Sequence, residues 1–459
     1  MFNQFAPILI ALLVIGNSSY CQVISFNQYM DQVRSNHPVV KQADIQLELG
    51  DASVLFARGS FDPKIVSSLR EKYFSDEQYY SELNAAVQVP TWFGVQLETG
   101  FDQNIGNYAS PNTATSSSGL LYGGVSVPIG KGLMVDRRRN ELAKAKIYRE
   151  STGAIQAEMK NRLFLDAANA YWDWYEAWNR KSIYEEAVKT SLQRYNGVRS
   201  SVELGDRSPI DSVEAKIQLQ NRQIQLQEET VKSINARIQV SRFLWLEGMV
   251  PLELKEDATP ESRQALSSLP MDELMRDSLD KLIENHPSLR MQSFEIAGLN
   301  QEMKYKREQL KPKFDLKYRP LSSPGSEFSF QNYSWGVDLA FPIFLRSARG
   351  QLAMTKIKKD QSSFKLIDKT MQVRTKSNQS FNKWKLSYDL YFQQSSVVSN
   401  YKIMFDGETQ LFNGGESSLF LVNQRELAFI KSKLKLNSMM TKNQKAVIET
   451  KYNVGNLYK

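Results

Sequence analysis

The chain carries two histidines in 459 residues, and both occupy the same tripeptide: Asn36-His37-Pro38 and Asn285-His286-Pro287, 249 positions apart. Pro63-Lys64-Ile65 recurs as Pro312-Lys313-Phe314 at the same offset. Val127-Pro128-Ile129 recurs as Phe341-Pro342-Ile343, 214 apart; Tyr171, Trp174 and Trp178 recur as Phe381, Trp384 and Tyr388, 210 apart. Gly205 and Ser208 recur as Gly415 and Ser418, again 210 apart. Anchors kept in one order at nearly constant offset mean an internal duplication of about 200 residues, which restricts the fold to architectures that two like units can share. The offset drops by 35 within one interval, so the first copy holds 35 extra residues between its two prolines. Paired histidines raise the question of a metal site. His-Pro, however, forces an extended residue and opens a helix with Pro in its first turn. No cysteine or second histidine stands nearby to complete a zinc set, so the structural role is expected.

Between the prolines the apolar period changes from helical to two. Tyr333, Trp335, Val337, Leu339 and Phe341 alternate with Ser334, Gly336, Asp338 and Ala340. Val95, Leu97, Thr99 and Phe101 alternate with Gln96, Glu98, Gly100 and Asp102; Leu83 to Val89 and Phe314 to Tyr318 do the same. Segments of this length with one apolar face suit membrane strands, lipid on one side and a wet lumen on the other. Soluble sandwich strands alternate likewise, and no single strand separates the two readings. Their company favours the membrane: aromatics expected at strand ends (Tyr73, Trp92, Tyr122, Tyr333) and polar loops at residues 104–118 and 320–331. A few strands cannot close a barrel, and an open edge is not tolerated in lipid, so strands that cross a membrane must be pooled by several chains.

After each strand region comes a proline-free stretch, residues 134–204 and 345–413. At 1.5 Å per residue each would extend roughly 100 Å if continuous, which suits a tube across an aqueous gap better than a compact domain. The next helix is expected to open at Ser208-Pro209, with Ser208 as N-cap and Asp211 three residues on. Ile210, Ile217, Ile224, Val231, Ile238 and Trp245 then recur every seven residues, with Val213, Gln220, Gln227 and Ile234 on the companion positions. Phe420, Leu427, Leu434, Thr441 and Ile448 hold that register in the second copy. A seven-residue apolar period implies left-handed coiled packing. A second line through Ala215, Leu219, Leu226 and Val240 implies neighbours on two sides, as in a closed helical barrel. A two-stranded coiled coil remains open for this segment taken alone.

The N-terminus narrows the compartment. The first charged residue is Asp31; before it, an apolar core at residues 8–15 leads to Ser19 and Cys21 at the −3 and −1 positions of a secretory cleavage site before Gln22. Cys21 is the only cysteine, so no disulfide forms within the chain; its lipidation is the alternative to its removal, although Tyr20 is a poor neighbour for that cleavage. No later segment approaches eighteen uninterrupted apolar residues. A net charge of +8 without a compact basic-aromatic cluster gives no nucleic-acid site. Enzyme motifs fail too: there is no metal-ligand set and no Gly-x-Ser-x-Gly elbow, and Gly130-Lys131-Gly132 lacks the spacing and Ser/Thr of a phosphate loop. No catalytic residue, cofactor or metal is expected.

Together these residues resemble the TolC family of outer-membrane efflux proteins. The Asn-His-Pro helix starts resemble its Asn-Pro starts, and Val127-Pro128-Ile129-Gly130 and Phe341-Pro342-Ile343-Phe344 its strand-ending proline before a long helix. Tyr195-x-x-Val198, then Leu204-Gly205-Asp206-x-Ser208-Pro209-Ile210-Asp211-x-Val213, resembles its periplasmic helix-turn-helix tip. The likeness covers residues 25–454. It implies a mainly α fold with membrane β: two internal structural repeats, a β-barrel shared by a homotrimer, and a long periplasmic α-helical barrel. It also implies a passive channel subunit of a tripartite efflux or type I secretion system, in outer-membrane lipid, docking to a periplasmic adaptor and an inner-membrane pump. Leu204, Gly205, Ser208, Asp211, Gly415 and Ser418 would lie at the tip, near gate and adaptor, with adaptor contact weaker at the second turn because it lacks the Leu-Gly pattern. Asp211 would either cap its helix or, as a ring of three carboxylates, favour cations. Val95, Leu97, Phe101, Tyr333, Trp335, Val337 and Leu339 would face lipid.

The expected organisation is a signal peptide (1–21) and a first repeat (22–248; strands 64–129, helices 134–204 and 208–246). A linker (249–270) leads to a second repeat (271–459; strands 313–343, helices 345–413 and 418–452). One departure stands out: residues 64–129 read as four strands, with a turn at residues 89–94, so six strands per chain and an enlarged barrel are expected where the family has four. A periplasmic coiled-coil adaptor or scaffold without a membrane barrel is the alternative. The exported substrate and the class of pump are not written in the sequence.

Overall fold

The computed structural model describes residues 23–261, 272–329 and 331–457. The expected signal peptide with Cys21, and residues 262–270 of the expected linker, lie outside them. In chain order the elements are β1 (Val23–Ile24), α1 (Phe26–Asn36), α2 (Pro38–Arg58), a short 3-10 turn, and β2 (Lys64–Phe74), β3 (Glu77–Pro90), β4 (Gln96–Ile105) and β5 (Leu120–Pro128). There follow α3 (Arg137–Glu203), α4 (Pro209–Ser241), β6 (Trp245–Leu246), β7 (Val250–Pro251), β8 (Thr259–Pro260), α5 (Glu273–Asp277), α6 (Leu279–Glu284) and α7 (Pro287–Glu308). The chain closes with β9 (Lys313–Ser322), β10 (Tyr333–Ala340), α8 (Arg346–Asn413) and α9 (Leu419–Asn453).

The two histidines open helices, as their prolines require. His37 and His286 are both extended (ψ 132° and 129°), and Pro38 and Pro287 are the first residues of α2 and α7. His286 caps α7 with its own ring: Nδ1 accepts the Ser288 backbone N–H at 3.2 Å. Among the described residues no group of three or more His, Cys, Asp or Glu could hold a metal ion, and no helix is long and apolar enough to cross a membrane.

The chain divides into two compact units, each drawing segments from both sequence repeats. The first takes residues 23–37, 164–261 and 383–448. Its aromatic core is the repeat anchor itself. Tyr171, Trp172, Trp174 and Tyr175 are fully buried against Phe26 and Tyr29 of α1, with ring centroids 5.2–5.8 Å apart. The Tyr171 hydroxyl donates to Ile24 O at 2.8 Å and the Tyr29 hydroxyl to Ala167 O at 3.2 Å, which satisfies buried groups that would otherwise cost about 1–3 kcal/mol each. Residues 249–261, expected as linker, are built into this unit: β8 pairs with β1 in parallel and β7 with β6. Trp245 is therefore corrected from a helical heptad position to a strand. Gly248 and Met249 at positive φ turn the hairpin, and the ring of Pro251, opposite Trp245, has no N–H to continue a helix.

The helices of this unit are not equally covered. α3 meets α4 through the Arg180 guanidinium on Glu229 (2.8 and 2.9 Å). It meets α9 through Arg194 on Glu426, Asn437 on Glu176 O, and Lys445 on Asp173. α9 also receives the Gln394 amide of α8 on Ser432 O and gives Asn443 to Ser387. The residues of α4 buried in the chain are Ala215, Leu219, Arg222, Glu229, Ser233 and Val240, close to the second line read from the sequence. The heptad line itself (Ile210, Val213, Ile217, Ile224, Val231, Ile234, Ile238) is 43–72% exposed.

The second unit takes residues 38–163, 272–382 and 449–457. Here α2 lies against α3, so close at Gly50 that an added Cβ would come within 2.9 Å of the Thr152 methyl. Asn140 and Lys144 of α3 reach Glu302 of α7, and Gln292 of α7 donates to Ser362 Oγ of α8 at 2.6 Å. The unit also holds one six-stranded sheet in the order β10-β9-β5-β4-β3-β2, every neighbouring pair antiparallel. Residues 82–88 and 96–101 are thus paired on both sides within the sheet, with the β3–β4 turn between them.

Candidate functional site

Two surfaces carry the residues singled out by the sequence: the paired turns of the first unit and the faces of the sheet in the second.

Each turn ends a long helix in the same way. After α3, Asp206 N–H donates to Ser201 O (2.9 Å) and Gly205 N–H to Val202 O (3.0 Å). After α8, Glu416 N–H donates to Leu411 O (2.9 Å) and Gly415 N–H to Phe412 O (3.1 Å). This doubled pattern needs a left-handed residue, and Gly205 and Gly415 supply it at φ 83° and 82°. The second turn, which lacks Leu-Gly in sequence, therefore has the geometry of the first.

The caps differ from expectation. Ser208 is the N-cap of α4 by backbone angle (ψ 141°), but its side chain makes no capping bond, and the Asp211 backbone N–H donates to the Ser208 carbonyl at 3.0 Å. Pro209 at the first turn already removes one N–H that would need a cap. Ser418 does accept from Leu421 N–H at 3.4 Å. Leu204 is exposed at the apex of its turn.

Sequence reading missed what joins the two turns. Val198, Ala215, Phe412, Leu419 and Val422 form one core, flanked by Tyr195, Val202 and Phe405. The Arg207 guanidinium stands 3.9 Å from the centroid of the Phe412 ring and donates to Phe412 O at 3.2 Å. Arg194 is held bidentately by Glu426 (2.8 and 3.1 Å) and donates to Asn423 Oδ1 at 3.2 Å, while Asn423 donates to Glu214 at 2.9 Å. Beside them runs a groove of about 790 Å³ lined by Arg194, Gly197, Ser201, Arg207, Phe405 and Thr409, among others. None of the charged partners recurs at the offset of 210, where Met404 and Lys216 stand for Arg194 and Glu426. A search keyed to the repeat passes over them; charged side chains on otherwise apolar heptad faces were the available signal.

In the sheet, register sorts the side chains into two faces. Leu339, Val337 and Trp335 of β10 stand opposite Phe314, Leu316 and Tyr318 of β9. Leu316 and Tyr318 stand opposite Val127 and Val125 of β5, and Val125 opposite Leu97 of β4. Leu97, Thr99 and Phe101 stand opposite Val89, Val87 and Ala85 of β3, and Val87 and Leu83 opposite Ile65 and Leu69 of β2. One face is therefore apolar across all six strands, and it carries Leu97, Phe101, Tyr333, Trp335, Val337 and Leu339. Val95 lies just before β4, where its carbonyl accepts the Thr91 N–H in line with the β3–β4 register.

The opposite face is polar: Glu98, Asp102, Asn84 and Arg319 meet on it, with Arg319 on Glu98, Asn84 on Asp102, and Lys317 on Asp338 at 2.6 Å. Tyr122, expected at a strand end, is the third residue of β5, and its ring is buried on this face. Its ring fills the space over Gly100, where an added Cβ would come within 2.7 Å of the hydroxyl, under the Arg319 guanidinium 5.0 Å away. A missing side chain next to an aromatic is a common reason for glycine in a strand.

The fold matches the Campylobacter jejuni CmeC outer membrane channel (TM-score 0.67, 12% identity, 94% of this chain and 85% of that one). It matches the outer membrane protein VceC of Vibrio cholerae (0.69, 11%, 94% and 96%) and the open-state MtrE outer membrane channel of Neisseria gonorrhoeae (0.65, 13%, 94% and 89%). Protein-family models and curated protein sequences give no match.

Proposed function

From a chain whose fold is TolC-like, we propose a subunit of an outer-membrane export channel: a passive conduit that spans the outer membrane and extends into the periplasm. The observation that carries the proposal is the sheet, one face apolar over six strands, the other charged, and both edges open. In lipid each unpaired backbone group costs several kcal/mol, so such a sheet is stable there only when closed by further copies of itself. That supports an oligomer, and the resemblance to the TolC family implies three chains.

The helices support the same reading by pseudo-symmetry. α3 and α8 are equivalent in the repeat, as are α4 and α9. Within the chain α9 packs its heptad face on α3: Ile430 joins the Ile183, Tyr184 and Ala187 core, with Leu434 against it. The equivalent face of α4 is bare, and so is the equivalent line on α8, where Leu386, Val397, Met404 and Leu411 are exposed. Repeating the α3–α9 contact between chains sets α4 of one chain on α8 of the next. That head-to-tail contact closes into a ring.

At the turns, Leu204, Gly205, Ser208, Asp211, Gly415 and Ser418 form the tip that meets a periplasmic adaptor, with an inner-membrane pump beyond it. Leu204 supplies an exposed apolar apex for that contact. Asp211 lines the pore entrance as a ring of three carboxylates. The apolar face, with Val95 at its end, contacts lipid. The test is fractionation followed by mass measurement. The protein partitions with the outer membrane, needs detergent for extraction, and has three times the chain mass. A monomer released without detergent refutes the reading and favours a periplasmic scaffold.

A further inference from the structure

We infer that three chains close one eighteen-strand barrel, and that the closing contact is an antiparallel ladder between β2 of one chain and β10 of the next, staggered by six residues. This rests on the channel reading and adds to it a specific edge-to-edge interface with a second copy of this chain.

β2 and β10 are the two edges of the sheet. The meander alternates direction at every strand, and six is an even number, so β10 of a neighbouring chain arrives antiparallel to β2. The two extra strands of the first repeat therefore fit into the wall. All eleven residues of β2 are exposed in the isolated chain, among them Ile65 and Leu69 on the apolar face.

Register fixes the rest. Ile65, Val87, Thr99 and Gly123 form one rung; continued between the pairs Tyr122–Leu321 and Val125–Tyr318, it reaches Pro320 and then Tyr333. Closed flat, Tyr333 would meet Ile65, and β10 beyond Ser334 would run past the start of β2 at Lys64. The strands must tilt. A stagger of one residue per strand corresponds to a tilt of about 36°, inside the range of about 35–45° for membrane barrels. Over six strands that is six residues, an even number, so the apolar face stays continuous. Tyr333 then meets Glu71, and all eight residues of β10 find partners on β2. Trp335 falls on Leu69 and Leu339 on Ile65, extending the apolar stripe across the joint. On the polar face Asp338 of β10 comes diagonal to Lys64, a charge match that the edges need.

At about 4.8 Å between strands such a barrel is about 34 Å across between backbones, against about 23 Å for twelve strands. The added strands thus widen the duct by about half.

The test is disulfide cross-linking in the outer membrane of the full chain carrying Ser68→Cys with Gly336→Cys. Both positions face the lumen, and Gly336 has open space for a side chain. Covalent dimers and trimers form on oxidation in the double variant and in neither single variant, and they exceed those from Ser68→Cys with Ser334→Cys or Asp338→Cys. A detergent-extracted trimer in which position 68 links to none of 334, 336 and 338 overturns the closure while leaving the channel reading intact. Extraction as a monomer removes both.

Discussion

Ile224 and its repeat equivalent Leu434 occupy the same heptad position on α4 and α9, yet a charge at each should have opposite consequences. Leu434 packs on the Ile183, Tyr184, Ala187 and Ile430 core within the chain, whereas Ile224 is 54% exposed and Val231, one heptad on, is 56% exposed. Full burial of Ile or Val is worth about 1.5–3 kcal/mol, so covering the exposed half of each gains about 1 kcal/mol. Ile224→Lys with Val231→Lys therefore removes about 2 kcal/mol per helix contact, and about 6 kcal/mol over three contacts in a ring. That is a factor of about 10⁴ in the trimer equilibrium. In detergent, light scattering should report monomers at concentrations where the parent chain is trimeric, while circular dichroism keeps the parent helicity. Leu434→Lys should instead lower the melting temperature and helicity of the chain itself. A double-lysine variant that stays trimeric at parent concentrations, or one that loses its helicity, refutes the assignment of this face to a second chain.

Three further outcomes follow from particular residues. Burial, then the Lys369 charge, hold His286 down at about 4 from an ordinary 6.5, against a hydrogen bond with the Tyr452 backbone. The unfolded chain therefore takes up the proton first, stability is complete above pH 6.5, and about 3 kcal/mol is lost as pH falls towards 4; His286→Asn keeps a cap and should remove that part of the acid sensitivity in thermal melts across pH 4–7. Glu426→Gln leaves the largely buried Arg194 cation without its carboxylate and should cost about 3–5 kcal/mol, seen as earlier proteolysis near the turns, whereas Arg194→Met with Glu426→Leu together should recover most of it. Gly205→Ala and Gly415→Ala should each cost about 1 kcal/mol in chemical denaturation from backbone strain alone, since nothing lies within 4 Å of the new methyl, and Asn at either position should cost less.

What the sequence disclosed follows from how locally each feature is encoded. His-Pro starts, the alternation of Tyr333 to Leu339 and the proline-free stretches depend on neighbours a few residues away, and the corresponding helices and strands stand within a few residues of expectation. Trp245 failed because a seven-residue period carries no stop signal; Gly248, Met249 and Pro251, beyond the window, decide that the helix is over. Tyr122 was legible as an aromatic near a strand end, but alternation names no partner, and only the register with Gly100 shows the ring buried. The joint between the turns was hidden for a similar reason. Arg194 and Glu426 are 232 positions apart and unmatched in the other repeat, so each neighbourhood shows a charge on an apolar face but not its partner. The α4 heptad was legible as apolar, but a stripe does not say whether its partner is in the same chain.

The interleaving of the two repeats also sets an order of events for a chain made from its N-terminus. Asp173 waits for Lys445, 272 residues later, and the Glu176 carbonyl for Asn437, 261 residues later. Strand β5 cannot gain its second neighbour until β9 has been made, and α3 stays half covered until α9 arrives. The first repeat therefore has no finished form of its own to rest in. It must remain soluble, with its aromatic anchor and strand edges uncovered, for nearly the whole of translation. Loop closures of this length make folding slow. A chain built this way depends on being shielded until its C-terminal helices are made as much as on any contact it finally makes.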